Sequence, residues 1–483
     1  MASFYSVEAR IKKVTLQGLA FTLLAVVGFS RYFRNASFWL DEAYIATNIK
    51  NHPVTDYFGP LDYTPTFPRI YLLLIKLCHF IGGYSTLVLR FFPFLFWLLA
   101  SYLWLDFFRK KSKTTWGFLF GAAMLFSSSE WLRQSANLKQ YSLDVLLSLC
   151  VFIFLNRKTI ASRLMLVAST LVSYTYPIPL FAAFVAKEKV FRGARFTRSF
   201  LLRCLGLLLV IAILRLVLYQ IDMKFMSHST LVNYWSASIL GAHLHSPFTA
   251  GRILFEFLFG WYRFSLPIFF QVLVFLFLII EAIKIVLDQK RAPVEAAACL
   301  WILFGCIVSS LFLNLPIAPD RIVLFSLPFI QLLSLRGFER FLAWSSARSC
   351  VIVRSLAACL CLVFLFYGAK NANGARRELI WQDLRPVRKT LLNDCSTLIV
   401  LESAVIQVKT LPEGLGDKKI VYRESDEWEP APALNPQNLC LLFITGTAPW
   451  PASFFEGLKK AGYQALPLSL YPSVFLYRLA KSS

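Results

Sequence analysis

The chain has 483 residues, of which 57% are hydrophobic and 16% aromatic, with 46 Phe. That much apolar surface cannot be hidden in a water-soluble core, which excludes an ordinary soluble globule and calls for a bilayer to cover it. The formal net charge of +23 would suggest nucleic acid in a soluble protein, but here the basic residues sit between apolar segments, where they set membrane orientation.

A helical crossing needs about 20 apolar residues. Apolar runs fall near 15–33, 86–107, 114–129, 141–156, 161–175, 177–186, 200–219, 264–287, 294–313, 321–335 and 350–368, predicting a polytopic α-helical membrane protein with about eleven spanning helices. The short runs around Tyr176-Pro177-Ile178-Pro179 read as half-length helices meeting at a proline break, or as one kinked span. Alternate connections are basic: Arg10, Lys12 and Lys13; Arg109, Lys110, Lys111 and Lys113; Arg157, Lys158 and Arg163; Lys187, Lys189, Arg192, Arg195 and Arg198; Lys284, Lys290 and Arg291; Arg336, Arg340 and Arg348. All can face the cytoplasm if the chain reverses at 176–179 and if 66–84, which carries Arg69, Lys76 and His79, lies along the outer surface without crossing. The N-terminus is then cytoplasmic and the C-terminus external. No small-residue cleavage site precedes the Arg31 to Arg34 stretch, so the first segment reads as a retained helix.

This topology leaves external connections at 31–85, 129–141 and 220–263. The first holds Phe38-Trp39-Leu40-Asp41-Glu42-Ala43-Tyr44, an acidic pair close to the membrane end of the first helix. Neighbouring helical residues point about 100° apart, so one carboxylate can face a cavity while the other bonds to the scaffold or to a basic residue. A carboxylate is a suitable base for a hydroxyl attacking an activated sugar, although an acidic first turn favoured by the helix dipole accounts for the same residues. The third connection carries His228, His243, His245, Tyr234 and Trp235. With no carboxylate or cysteine nearby, its histidines read as loop residues rather than as metal ligands on a strand, and its aromatics as an interfacial belt or a sugar platform.

After Gly368 the composition turns polar, marking a domain over 369–483. Strand-like runs at 398–401, 420–422, 439–445 and 474–479 alternate with helix-like runs at 384–392 and 453–461, predicting a small external α/β domain. Most of the ten cysteines lie in or beside apolar runs as small buried residues. Cys395 and Cys440 fall in the external domain, where an oxidising compartment would let them pair.

Taken together, Trp39-Leu40-Asp41-Glu42-Ala43-Tyr44, Asp62-Tyr63-Thr64-Pro65 leading into Ile70-Tyr71-Leu72-Leu73-Leu74, and Leu89-Arg90-Phe91-Phe92-Pro93 resemble the opening of GT-C type membrane glycosyltransferases. That superfamily includes protein O-mannosyltransferases and lipid A aminoarabinose transferases. The resemblance continues at Glu130-Trp131-Leu132-Arg133, Lys139-Gln140-Tyr141, Pro319-Asp320-Arg321 and Trp381-Gln382-Asp383-Leu384, the last being similar to the start of the external domain that closes many such enzymes. Relatives commonly show Pro-Pro-Leu in the first loop where this chain has Pro65-Thr66-Phe67-Pro68.

The resemblance implies sugar transfer from a polyprenyl-phosphate donor to an envelope acceptor, whether lipopolysaccharide, glycolipid, glycan or protein, on the external membrane face. Asp41 is the implied base, Glu42 its partner in orienting the acceptor or holding a possible divalent cation, and Tyr44 nearby scaffold. Arg321, Arg133 and Lys139, with Tyr141 beside them, are candidates for holding the phosphate, for which an Arg fork is suited; lipid-headgroup contact explains the same cations. A bacterial inner membrane with a periplasmic C-terminal domain is the expected location, and the endoplasmic reticulum the alternative. The spans read as nearly free of charge, which suits a surface enzyme better than a transporter or flippase of a lipid-linked precursor or an inactive envelope scaffold.

Overall fold

The computed structural model describes residues 2–62, 67–154, 159–188, 198–225, 235–262, 266–288, 292–318, 321–346, 350–377, 383–411, 414–416, 418–423, 438–444, 452–471 and 474–481. In chain order the helices are α1 (Ala2–Phe33), α2 (Leu40–Asn51), α3 (Arg69–Gly82), α4 (Thr86–Leu89), α5 (Phe91–Lys111), α6 (Thr115–Ser127), α7 (Ser129–Arg133), α8 (Tyr141–Phe154), α9 (Ile160–Ala168), α10 (Pro177–Lys187) and α11 (Arg198–Ile221). They continue with α12 (Pro247–Phe259), α13 (Ile268–Leu287), α14 (Val294–Phe312), α15 (Leu327–Ser346), α16 (Cys350–Arg377), α17 (Arg385–Asp394), α18 (Glu402–Lys409) and α19 (Ala452–Lys460). The strands are β1 (Thr397–Leu401), β2 (Lys419–Arg423), β3 (Leu439–Ile444), β4 (Tyr463–Tyr471) and β5 (Val474–Lys481).

The chain is an integral, multi-pass membrane protein. Among the described residues six helical stretches are long and apolar enough to cross a bilayer: Ile11–Phe33, Phe91–Lys111, Arg198–Ile221, Ile268–Leu287, Val294–Phe312 and Arg321–Trp344. A seventh arises if Ser129–Ala136 and Tyr141–Phe154, bent by 115°, form one broken span. This is fewer than the eleven expected, because several apolar runs make short helices. The α6 helix has 13 residues between the Thr114 cap, whose hydroxyl accepts from Gly117 N, and Ser128, whose hydroxyl accepts from Trp131 N. At 1.5 Å per residue such a helix is about 20 Å long, against a hydrocarbon layer of about 30 Å. The α9 and α10 helices are shorter still, at 9 and 11 residues. The run expected over 86–107 is interrupted at Arg90, and α4 is capped separately by the Ser85 hydroxyl.

Two compact units partition the chain: Met1–Phe33, Thr66–Tyr71 and Phe92–Arg377 in the first, Arg34–Pro65, Leu72–Phe91 and Glu378–Ser483 in the second. In the first, α13 and α15 approach so closely that a Cβ on Gly337 would lie 1.8 Å from the Phe277 carbonyl oxygen, so no larger residue fits. One turn further along α13, buried Glu281 pairs with Arg340 and lies 3.9 Å from Arg336. Lys111 pairs with Glu295 at 2.5 Å, and Glu339 accepts from Thr114 N at 2.7 Å. The helices of this unit thus carry more charge than the sequence suggested, matched across helices where an isolated ion would be costly.

The second unit is built on a five-stranded sheet of order β2-β1-β3-β5-β4, parallel at β2-β1-β3 and antiparallel at β3-β5-β4. Its central strands are apolar on both faces, as strands covered on two sides must be. Leu398, Val400, Cys440, Leu442 and Ile444 pack with α17 and α18; Ile399, Leu401, Leu439, Leu441 and Phe443 pack with α19. Cys395 and Cys440 form a disulfide, with Cα atoms 5.7 Å apart, that ties the end of α17 to β3. The sequence reading missed α18 and β4. β4 contains Pro467, which a sheet tolerates at an edge, and the register slips between Pro467 and Ser469.

Candidate functional site

The acidic pair opens α2. Trp39 is extended, the helix begins at Leu40, and Glu42 as its third residue accepts at 3.4 Å from Trp39 N, so the carboxylate satisfies a donor the helix leaves open. Glu42 is fully buried. Arg90 Nε donates to its Oε1 at 3.1 Å and Nη2 to its Oε2, while the same guanidinium donates to the carbonyls of Ala36 at 2.6 Å and Ser37 at 3.1 Å. The Glu42 carboxylate is thereby engaged with Arg90 and serves as the anchor of this loop.

Asp41 is half-buried, as is Tyr44. Seven residues beyond Asp41, Asn48 returns to within about 20° of it on the helix, so the two share one stripe along α2. Asn48 grips Asp62 by its main chain: Nδ2 donates to Asp62 O at 3.0 Å and Oδ1 accepts from Asp62 N at 2.9 Å. Nδ2 also donates to Tyr44 O at 2.7 Å. Asp62, the first residue of the second motif, is therefore fastened to the helix that carries Asp41. Tyr63, Thr64, Pro65 and Thr66 lie outside the described residues. At the other end of α2, the buried Lys76 ammonium donates to the carbonyls of Ile49 at 2.5 Å and His52 at 3.0 Å, a cation where the helix leaves acceptors open. Burial pushes the Lys76 ammonium down from its ordinary value.

Within the same unit Asp383 accepts from Ser37 N at 3.0 Å, Leu384 N donates to the Ser37 hydroxyl at 2.9 Å, and Arg385 bonds Asp383 and Arg34 O. Burial alone would push the Asp383 carboxyl up, but Arg385 and the Ser37 contacts more than offset it and hold the group below the ordinary carboxylate value. The entrance to the C-terminal domain is thus bonded to the loop just before Asp41. Trp381 and Gln382 fall outside the described residues.

The remaining candidates belong to the first unit. Arg133 lies 3.9 Å from Glu130, whose other oxygen accepts from Gln134 at 2.6 Å. Lys139 offers its carbonyl to the Tyr71 hydroxyl at 3.4 Å, and Tyr141 is buried at the start of α8. Arg321 stands over the Trp235 ring, 6.0 Å from its centroid; Pro319 and Asp320 lie outside the described residues. His243 Nε2 contacts Ser236 O at 3.0 Å in a 3-10 turn rather than a strand, and His228 and Tyr234 lie outside the described residues. Among the described residues no group of three or more His, Cys, Asp or Glu is arranged to hold a metal ion.

Sequence reasoning missed a buried polar chain in this unit. Asp222, just past α11, lies 3.4 Å from Arg69 Nε, accepts from Arg69 N at 3.3 Å and from the Tyr174 hydroxyl. Arg215 donates to Tyr174 O, and Asp144 on α8 bonds Ser173. Burial pushes the Asp222 carboxyl up and the Arg69 guanidinium down, and their attraction recovers only part of that cost. Its place at the end of an apolar run is the signal that could have found Asp222, which lacks the acidic neighbour that singled out Asp41.

No family model and no curated protein matches the chain. Among solved structures it is similar to the crystal structure of ArnT from Cupriavidus metallidurans in the apo state, at 10% identity and a TM-score of 0.48 over 96% of this chain and 98% of that one. A similarity at that level carries no inference about what this chain acts on.

Proposed function

We propose that this protein is a GT-C-like glycosyltransferase that moves a sugar from a polyprenyl-phosphate donor to an envelope acceptor on the external face of a bacterial inner membrane. The observation that carries this reading is the divergent placement of two adjacent acids: Glu42 is buried on Arg90, whereas Asp41 next to it keeps partial exposure on the stripe to which Asp62 is bound. A half-buried carboxylate on a fixed helix suits a general base. The acceptor hydroxyl loses its proton to Asp41 as it attacks the anomeric carbon; the C–O bond to the carrier phosphate breaks and the free polyprenyl phosphate leaves, with inversion. Arg321, Arg133 and Lys139, all in the first unit, are the candidate cations for the donor phosphate. Asp41→Asn keeps the size and removes the base; it should abolish transfer while the protein stays folded in membranes, and full activity in that variant would remove Asp41 from the mechanism.

A second reading, transport or flipping of a lipid-linked precursor, draws on Asp144 and Arg215, which sit in helices of the membrane unit where ionisable residues mark a path or a relay. Movement of labelled carrier lipid across vesicles without release of free carrier would favour it.

A further inference from the structure

One face of the C-terminal sheet is only partly covered. There α19 packs over β1 and β3, while the rings that β5 and β4 carry beside it, Phe475, Tyr477 and Tyr463, stay half-buried. Between the helix and these strands runs an open groove of about 550 Å³, within the ~300–1,000 Å³ of small-ligand sites. Phe455, Leu458 and Lys459 of α19 line one side, and Tyr463, Ala465 and Tyr477 the other. Tyr477 is braced, with Phe443 stacked against it at 5.8 Å and Phe455 meeting it edge-on at 5.5 Å, so its ring is a platform that binding need not order. Lys481 stands directly opposite Tyr463 in the β4-β5 pairing and so shares that face of the sheet. Lys459, Lys460 and Lys481 are exposed, with Glu456 the exposed acid of α19, so the rim formed by these residues is cationic.

Lining and rim together select an occupant. A peptide adding a strand would need the free edge of β4, which Pro467 and the register slip beside it interrupt. A purely apolar partner would leave the lysines unmatched. A pyranose ring has an apolar C–H face that lies against an aromatic ring, and acid groups on such a ring answer ammonium groups at the rim. We propose that this groove binds a saccharide bearing carboxylate or phosphate groups, with a ring on Tyr477 and its acids on Lys459 and Lys481. The opposite face of the sheet is covered by α17 and α18, and it is the end of α18 that meets α2, where Lys50 Nζ donates to Lys409 O at 3.5 Å. The sheet and α18 thus stand between the groove and the helix that carries Asp41, so a saccharide held here is a distant part of a long acidic glycan and not the sugar whose hydroxyl reacts. That acceptor role rests on the transferase reading above; the groove itself does not.

The test titrates the full chain, in nanodiscs of zwitterionic lipid, with oligogalacturonate, phosphorylated oligomannose, neutral maltohexaose and poly-glutamate. The wild type should bind one or both acidic saccharides more tightly than maltohexaose and poly-glutamate, with an affinity that falls as salt rises. Which of the two it prefers tells carboxylate from phosphate. Tyr477→Ala should weaken that binding on the order of tenfold through loss of stacking. Lys459→Gln with Lys481→Gln changes only exposed side chains, which keeps the test open if Tyr477→Ala folds poorly; it should cost on the order of fivefold and flatten the salt dependence. A wild type that binds neither acidic saccharide, that binds poly-glutamate or maltohexaose as tightly, or whose binding survives both variants unchanged overturns the proposal. If the wild type transfers sugar, the lysine pair variant should raise KM for a long acidic acceptor rather than lower kcat, and a fall in kcat alone would overturn the acceptor role. A wild type that binds the saccharide but transfers no sugar would refute the transferase reading and leave the groove standing.

Discussion

Removing the Arg90 side chain strands a carboxylate that folding has taken out of water. In the wild type the Glu42 side chain is 1% exposed and that of Arg90 4%, and the guanidinium also satisfies the Ala36 and Ser37 carbonyls. Breaking a buried pair from one side costs about 3–5 kcal/mol, whereas replacing both partners by apolar residues is often close to neutral. Arg90→Ala should therefore destabilise the loop before α2 and its first turn by that amount, which amounts to roughly two to four orders of magnitude in local opening. Native-state hydrogen exchange over residues 36–46 of the nanodisc-embedded chain reads this directly, and Glu42→Met with Arg90→Met should restore most of the loss. An Arg90→Ala variant whose exchange rises by less than about tenfold would refute the view that this pair holds the acidic loop in place.

Three further outcomes follow from the same geometry. Replacing Cys395 and Cys440 by Ser opens a loop of 45 residues and should cost the C-terminal domain up to about 4 kcal/mol; thermal melting of the full chain with and without reductant checks it, and unchanged melting would mean the bridge contributes nothing. Because the Asp383 carboxyl is held below its ordinary value, its contribution is complete above about pH 4 and is lost as pH falls through the lower folded value. Asp383→Asn should then lower stability at neutral pH and flatten the acid limb of a proteolysis-versus-pH curve, and an unaltered curve would contradict the role given to Asp383. Arg321→Ala should weaken binding of a polyprenyl-phosphate sugar by about tenfold or more, as expected for loss of a charge-assisted phosphate contact, and unchanged donor affinity would remove Arg321 from phosphate recognition.

Local pattern carried much of this fold. The apolar runs become helices, and β1, β2, β3 and β5 lie at the short strand-like runs, because those signals come from residues adjacent in sequence. β4 escaped because Pro467 contradicts the strand pattern and only the edge position tolerates it. Among the described residues fewer helices than expected are long enough to cross, because caps at Thr114 and Ser128 and the proline break before α10 end apolar runs short of a bilayer's thickness, and composition alone does not weigh them. For the candidate site, the acidic pair was legible, but the fate of its members was not. Glu42 meets Arg90 48 residues away, Ser37 meets Asp383 across 346, and Arg69 meets Asp222 across 153. Long-range pairing of charges follows from packing, and nothing in the local sequence announces it. Asn48 went unnoticed for a different reason: its significance lies in being two turns from Asp41 on one helical stripe, while Asp62 approaches from the following loop.

The most direct test of the central claim is to incubate the purified protein in detergent solution, where there are no membrane sides for transport to connect, with a panel of polyprenyl-phosphate sugars and envelope extract, and to measure free polyprenyl phosphate. One of these donors should yield free carrier in step with sugar appearing on an acceptor, and Asp41→Asn should yield neither. Binding of the same lipids by both proteins with release by neither would contradict it.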